Sequence, residues 1–475
     1  MNNETVAAAN PRGAAMPAKA YWGAVLLVLA LVYSAWYPGV FTLDELDILR
    51  QAAGGIAHDG HSPLLISLWS LATSIHSGSA LPYSVALFGT GLFAAAVLRM
   101  FFHAALAWIL LVGFLLLPAV FTAFGLVTKD LFFAGAMVAV VYCFLRFLQR
   151  RSGWWCAFAL VAMQLAVMIR IDAVFAIAPG LLFCLFAVLP ARLRPALLRL
   201  TAALICCAVL VVVLMANTRL ANRFVFHAKP YHAEQVSMLF DLSAISIQLN
   251  RQLLPTDRQS NGNVPVEVLR SRISPASADS LIWSPDQYHL VYQTDADHDA
   301  LARAWARAIG AHPAEYLRHR GEYLARYVGI RNDSPWLRGH FQGDESMVDK
   351  YPTDGWNRVD SPVVRLFERL IQTTPAGIIT LPWAWLLLGL LAWQVLAWGW
   401  PNTPDDAALC AGMLVGSALT HTFLMGLVSA AALARYHTWP RIAIGLAVAL
   451  AIGSLLTRAK PAPAGGVNAS KLSGQ

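Results

Sequence analysis

Tyr21-Trp-Gly-Ala-Val-Leu-Leu-Val-Leu-Ala-Leu-Val-Tyr-Ser-Ala-Trp36 runs directly into Tyr37-Pro-Gly-Val-Phe-Thr-Leu-Asp44-Glu45-Leu-Asp47. The first stretch is uncharged and apolar enough to enter a bilayer. Arg12 and Lys19 precede it, which by the positive-inside rule puts its leading end in the cytoplasm. A cleaved signal peptide would have a shorter apolar core and a small-residue cleavage site, and no Ala-x-Ala follows. The expectation is a retained signal-anchor. The second stretch is acidic, and His58-Asp59-Gly60-His61-Ser62-Pro63-Leu64 comes shortly after it. Carboxylates and histidines where a spanning protein meets water make poor anchors and poor packing. They are what proton abstraction or metal binding requires.

The same character extends over the 475 residues, of which 57% are hydrophobic and only 13% charged. A soluble protein carries about a quarter charged residues, so the chain reads as an integral membrane protein. Its formal charge of +8 reports orientation rather than nucleic acid, because the cations sit in short inter-helix loops. These are Arg146, Arg150 and Arg151, then Arg192, Arg194 and Arg199, then Arg458 and Lys460. The six cysteines (Cys143, Cys156, Cys184, Cys206, Cys207 and Cys410) fall in apolar runs with no zinc spacing.

Hydropathy and turn signals predict a mainly α, polytopic membrane protein of about ten transmembrane helices. Spans are expected near 21–36, 82–102, 104–123, 130–148, 154–170, 172–190, 199–216, 380–398, 405–430 and 438–456. Residues 1–19 form a cytoplasmic tail. Residues 20–216 form a first membrane module whose loop 37–81 faces outward, with amphipathic helices lying on the membrane surface. An outer, mostly helical domain occupies 217–378, with helices at Asp299–Ile309 and Ala314–Val328. The last three spans fill 379–457, and 458–475 is a Pro/Gly/Ala-rich cytoplasmic tail.

Between Gly78 and His232 the only carboxylates are Asp130 and Asp172, and each has a cation beside it, Lys129 and Arg170. The topology brings these, together with Asp44, His61 and Arg435, to one interface. Cations there can hold the phosphate of a lipid carrier and stabilise its leaving charge. Asp44, with Glu45 second, is the best-placed carboxylate to take a proton from an incoming hydroxyl. The plainer readings stay open: an Asp favoured at a helix start, a snorkelling Lys or Arg, and solvated histidines at 58 and 61. A divalent metal near Asp44 and Glu45 is also left open.

With those residues in view, the chain resembles the glycosyltransferase C superfamily, and within it a bacterial polytopic branch. The resemblance rests on Tyr37-Pro-Gly, Asp44, Leu49-Arg50-Gln51-Ala52, His61-Ser62-Pro63-Leu64 and Trp69. It continues in Thr128-Lys129-Asp130, Arg170, His312-Pro313, Tyr316-Leu317, His319-Arg320 and Arg435-Tyr436. It implies an inverting enzyme that uses a polyprenyl-phosphate-linked sugar, with a first-loop carboxylate carried onto Asp44 as general base. The acceptor would be an envelope glycan, lipid or protein, and the site would face the periplasm of a bacterial inner membrane. Lys129, Arg170, Arg435 and Tyr436 would bind the donor phosphate. His61, Asp130, Asp172 and His58 would support the site or the acceptor. His227, Lys229, Tyr231, His232 and Tyr288 are further acceptor-side candidates. Ser62-Pro63 replaces the branch's second proline, and Asp44-Glu45-Leu-Asp47 lacks its usual metal arrangement.

Three other classes compete. A transporter or flippase predicts ionisable residues deep in the spans. An O-antigen polymerase or ligase would rely on Arg and His in a large outer loop and tolerate loss of Asp44. A non-catalytic membrane scaffold is the simplest alternative.

Overall fold

The computed structural model describes residues 16–40, 42–55, 57–76, 79–189, 196–255, 264–282, 294–331, 361–372, 378, 380–398 and 406–458. Among them the chain is helical, with extended backbone pairing only as isolated bridges. Among the described residues six helices are long and apolar enough to cross a membrane: Ala18–Trp36, Ala80–Phe101, Lys129–Arg150, Leu197–Phe224, Asp406–Val428 and Ala434–Thr457. The chain is therefore a multi-pass helical membrane protein. Three of the expected spans are the shorter apolar helices Gly153–Ile169, Ala173–Val188 and Pro382–Trp398, of 17, 16 and 17 residues. At about 1.5 Å per residue each reaches about 25 Å, the short limit for a hydrocarbon core of about 30 Å.

The expected straight span 104–123 is a broken one. Ala104–Leu116 and Pro118–Gly125 meet at 75°. Pro118 has no N–H for the preceding turn, and it holds Leu117 in an extended conformation, so the first helix ends and a second begins with Pro in its first turn. Every residue from Ala119 to Gly125 is buried, so this backbone turns inside protein rather than lipid.

Within the bundle, Lys129–Arg150 packs against Gly153–Ile169 and Ala80–Phe101. Thr438–Arg458 lies against Asp406–Val428 and Pro382–Trp398. Trp439, Ile442, Ile444, Leu446 and Leu450 are fully enclosed there. By contrast the helix Ala196–Phe224 continues two turns beyond the expected 199–216 and exposes Leu197, Ile205, Val209 and Val212. That is the pattern of a helix at the lipid-facing edge of a bundle.

A second apolar core includes Leu239, Phe240, Leu242, Ile245, Leu269, Leu281, Leu301, Tyr323 and Tyr327. It is built from Gln235–Leu249, Val266–Arg272, Asp279–Ile282, Asp295–Ala311 and Pro313–Tyr327. The last two match the predicted helices, except that the second ends at Tyr327, one residue short of Val328. Thr294 caps one by accepting from Asp297 N–H, and Pro313 opens the other. At its centre Asp241 meets Arg320: Nη2 donates to Oδ2 at 2.9 Å, and Nε lies 2.7 Å from Oδ1. Trp305 Nε1 donates to the same carboxylate at 2.9 Å, and His319 lies 3.4 Å from it. Arg320 also donates to the Ser429 carbonyl at 2.7 Å, and Ala278 N–H bonds Ala430 O while Ala432 N–H bonds Ala276 O. This unit is thus fastened to the loop that follows Val428. Tyr288 and the tail 459–475 lie outside the described residues.

Candidate functional site

The turn after the first helix is built so that one backbone segment can lie on another. Gly39 has φ +92°, and a Cβ there would strike Val127 and Tyr83. Gly125 likewise leaves room only for the Trp36 ring. With both side chains absent, Val40 N–H reaches Gly125 O at 2.9 Å and Val127 N–H reaches Val40 O at 3.0 Å. This parallel bridge places the start of Leu43–Gly54 beside the start of Lys129–Arg150.

Thr42 and Glu45 then form a capping box. Thr42 N–H donates to Glu45 Oε2 at 3.1 Å, and Lys129 N–H donates to Glu45 Oε1 at 3.3 Å. One carboxylate therefore satisfies backbone donors at two helix starts. Asp44 projects beside it. Its Oδ2 lies 2.8 Å from Lys129 Nζ and 3.1 Å from Arg435 Nη1. Arg435 arrives on the 3₁₀ turn Ala434–His437 and also donates to Thr42 Oγ1 at 2.7 Å.

A second ion cluster lies behind the first. Arg170 Nη1 bonds Asp130, and its Nε and Nη2 bond Asp172 at 3.0 and 2.8 Å. His421 Nε2 lies 3.3 Å from Asp172. The Tyr436 ring joins the clusters, with the Arg170 and Arg435 guanidinium carbons 5.2 and 5.3 Å from its centroid. The sequence placed Lys129 beside Asp130 and Arg170 beside Asp172. Only the second pair forms as such. Consecutive helix residues do not face each other, so Lys129 turns to Asp44 while Asp130 turns to Arg170. Arg170 is thereby matched by two carboxylates. Lys129 and Arg435 share Asp44, with Glu45 adjoining.

On the same helix Asp47 gathers the loop histidines. His61 Nε2 is 3.0 Å and His58 Nε2 3.5 Å from its Oδ2, and Gln51 Nε2 donates to it at 2.8 Å. His61 is 11% exposed, so it is a packed residue and not a solvated one. His58 stacks on Tyr231 at 4.8 Å, and Tyr231 N–H donates to Asp59 Oδ1 at 2.6 Å. Lys229 bridges the first loop through backbone bonds to Ala57 and Asp59. Lys229 and Tyr231 thus meet the site, whereas His227 stays exposed and His232 turns to Asp295.

These surroundings set the charges. Burial would raise the Asp44 carboxyl, but Arg435 and Lys129 together hold it well below the usual carboxylate range. Hydrogen bonds from His58 and His61 hold Asp47 low. Burial pulls His61 below its ordinary value against the pull of Asp47. Burial and the Asp44 charge push Glu45 from 4.5 up to about 7. A raised carboxyl contributes stability that is fully present below 4.5 and is lost as pH rises through about 7. The thermal midpoint of the detergent-extracted protein is therefore expected to fall between those values. Glu45→Gln should flatten that decline, and an unchanged slope in the variant would refute the assignment.

Thr42, Asp47 and His421 were not among the sequence candidates. Each left a signal: the Thr-x-x-Glu capping pattern, an acid and a Gln four residues apart, and a histidine within an apolar span. Comparison with known protein families, with curated proteins and with solved structures finds no match.

Proposed function

We propose that the chain is an inverting membrane glycosyltransferase with ten crossings, in a bacterial inner membrane with its site facing the periplasm. It would move a sugar from a polyprenyl phosphate to an envelope glycan, lipid or protein. One observation carries this reading: Asp44 sits at the meeting point of Lys129 and Arg435, cations from distant segments. The two cations share one firmly ionised carboxylate, which suits the site to a further anion such as a lipid phosphate.

In this mechanism the phosphate of the donor engages Lys129 and Arg435 and draws them from Asp44. Relieved of those charges, Asp44 regains basicity, so donor binding itself prepares the base. The acceptor hydroxyl attacks the anomeric carbon and passes its proton to Asp44. The bond from that carbon to the phosphate oxygen breaks, and the lipid phosphate leaves with its charge held by the same cations. Arg170, Asp130 and Asp172 fix Tyr436 behind the cations.

A second proton acceptor is supported by the Asp47–His61 contact. With Nε2 directed at Asp47, the buried His61 Nδ1 has no hydrogen-bond partner. An imidazole oriented by a carboxylate is a general base arrangement.

The test is complementation of a deletion strain by Asp44→Asn and by His61→Gln. Membrane abundance would be matched and envelope glycans profiled by mass spectrometry. Loss of a base lowers turnover by roughly 10²–10⁴-fold. A glycan short of one sugar in Asp44→Asn supports the carboxylate reading, and the missing mass names the sugar. The same loss in His61→Gln alone moves the proton to His61. Unchanged glycans in both would sink the transferase.

A further inference from the structure

Outside this site, three ligand-type side chains converge where two helices of the second core begin. His232 and Glu234 immediately precede Gln235–Leu249, and His298 lies in the first turns of Asp295–Ala311. We propose that His232, Glu234 and His298 form a binding site for a first-row divalent cation, with zinc preferred. The inference is independent of the transferase reading.

The geometry points to a shared ion. His298 Nε2 lies 3.3 Å and His232 Nδ1 lies 3.9 Å from Glu234 Oε1. One ligand atom from each residue falls within 4.8 Å of the others. Bonds of about 2.0–2.1 Å in a tetrahedral zinc site put neighbouring ligand atoms about 3.4 Å apart. One of these separations already matches, and the others must close from 3.9 Å and from within 4.8 Å. The two imidazoles stack at 4.2 Å, so loading requires one ring to turn until both in-plane lone pairs meet at the ion.

Two further details fit a metal better than a salt bridge. His298 Nε2 is buried and makes no hydrogen bond of acceptable geometry, so its polar atom is left for another partner. His232 uses its other nitrogen: Nε2 is 2.8 Å from Asp295 Oδ1. A carboxylate on the far nitrogen of a metal-bound histidine fixes its tautomer and raises its basicity. The donor set is two imidazoles and one carboxylate, which suits zinc and its neighbours better than calcium or magnesium. Glu234 is more than half exposed, so an incoming ion can reach it and a fourth position stays open to water.

The site also has a place in the architecture. Tyr231, which stacks on His58, immediately precedes His232. An ion at His232 would hold the start of both helices together and brace the residue that covers the first loop.

The test uses the full-length protein in detergent, without a polyhistidine tag, stripped by a chelator and then titrated with Co²⁺ and Zn²⁺. We expect one equivalent of Co²⁺ with the visible ligand-field absorption of a four-coordinate nitrogen–oxygen site, displaced stoichiometrically by Zn²⁺. His232→Ala and His298→Ala should each abolish it, and Asp295→Asn should weaken it roughly 10- to 100-fold. Failure of the wild-type protein to take up one equivalent overturns the proposal whatever the variants do. So does uptake that persists in both histidine variants, because the ion would then lie elsewhere.

Discussion

Replacing Arg170 by leucine is expected to remove most folded protein from the membrane. The Arg170 side chain is 7% exposed, and it lies between Asp130 and Asp172, themselves 3% and 16% exposed. Leucine fills part of the space but leaves both carboxylates without their cation. Breaking a buried pair by removing one partner costs about 3–5 kcal/mol, a large share of a total stability of about 5–15 kcal/mol. The measurement is the yield of monodisperse detergent-extracted protein and its thermal midpoint. Arg170→Lys should fare little better, because an ammonium cannot present a planar fork to two carboxylates while stacking on Tyr436. Arg170→Leu combined with Asp130→Asn and Asp172→Asn should recover much of the yield, since the stranded charges are then gone. Normal stability in the single leucine variant would show that this cluster does not hold the bundle together.

Asp241→Ala should have an effect of similar size but of different reach. Asp241 is fully buried, and its loss strands Arg320, which is 4% exposed, along with the Trp305 N–H. The same 3–5 kcal/mol scale applies, but the damage falls on the unit made from Gln235–Leu249, Asp295–Ala311 and Pro313–Tyr327. Arg320 is also the residue that grips the Ser429 carbonyl. The variant is therefore expected to insert normally yet expose residues 235–327 to added protease. Hydrogen exchange should rise there and stay low in Lys129–Arg150. A protease pattern like that of the wild type would count against it. Equal loosening of both units would show that they unfold together.

The helices were legible because apolar runs and turn residues act locally. Ser62-Pro63 shows the same: Ser62 caps the helix by accepting from Leu65 N–H, and Pro63 takes its first turn. Pro118 was visible in the sequence, but the 75° bend also needs buried surroundings to receive the turned segment. The polar residues of the site were legible as such, since charges are rare in this chain. Their partners were not. Asp130 and Arg170 pair across 40 positions, and Arg435 and Thr42 across 393, distances at which only packing decides who meets whom. Glu45 shows a further limit. By type and place it is a reserve base, yet its oxygens accept from Thr42 N–H, which the Thr-x-x-Glu pattern announces, and from Lys129 N–H, which no local pattern does.

The span of 393 positions between Thr42 and Arg435 has a consequence for how the protein is made. The ribosome delivers Asp44 in the first hairpin and Lys129 with a later helix, but Arg435 emerges only with the final hairpin. For most of synthesis the acidic turn awaits half of its countercharge, and the last helices to insert complete what the first ones began. The final hairpin thus works as a latch. A chain that stalls before it would leave Asp44 with Lys129 alone and Thr42 Oγ1 without its Arg435 donor.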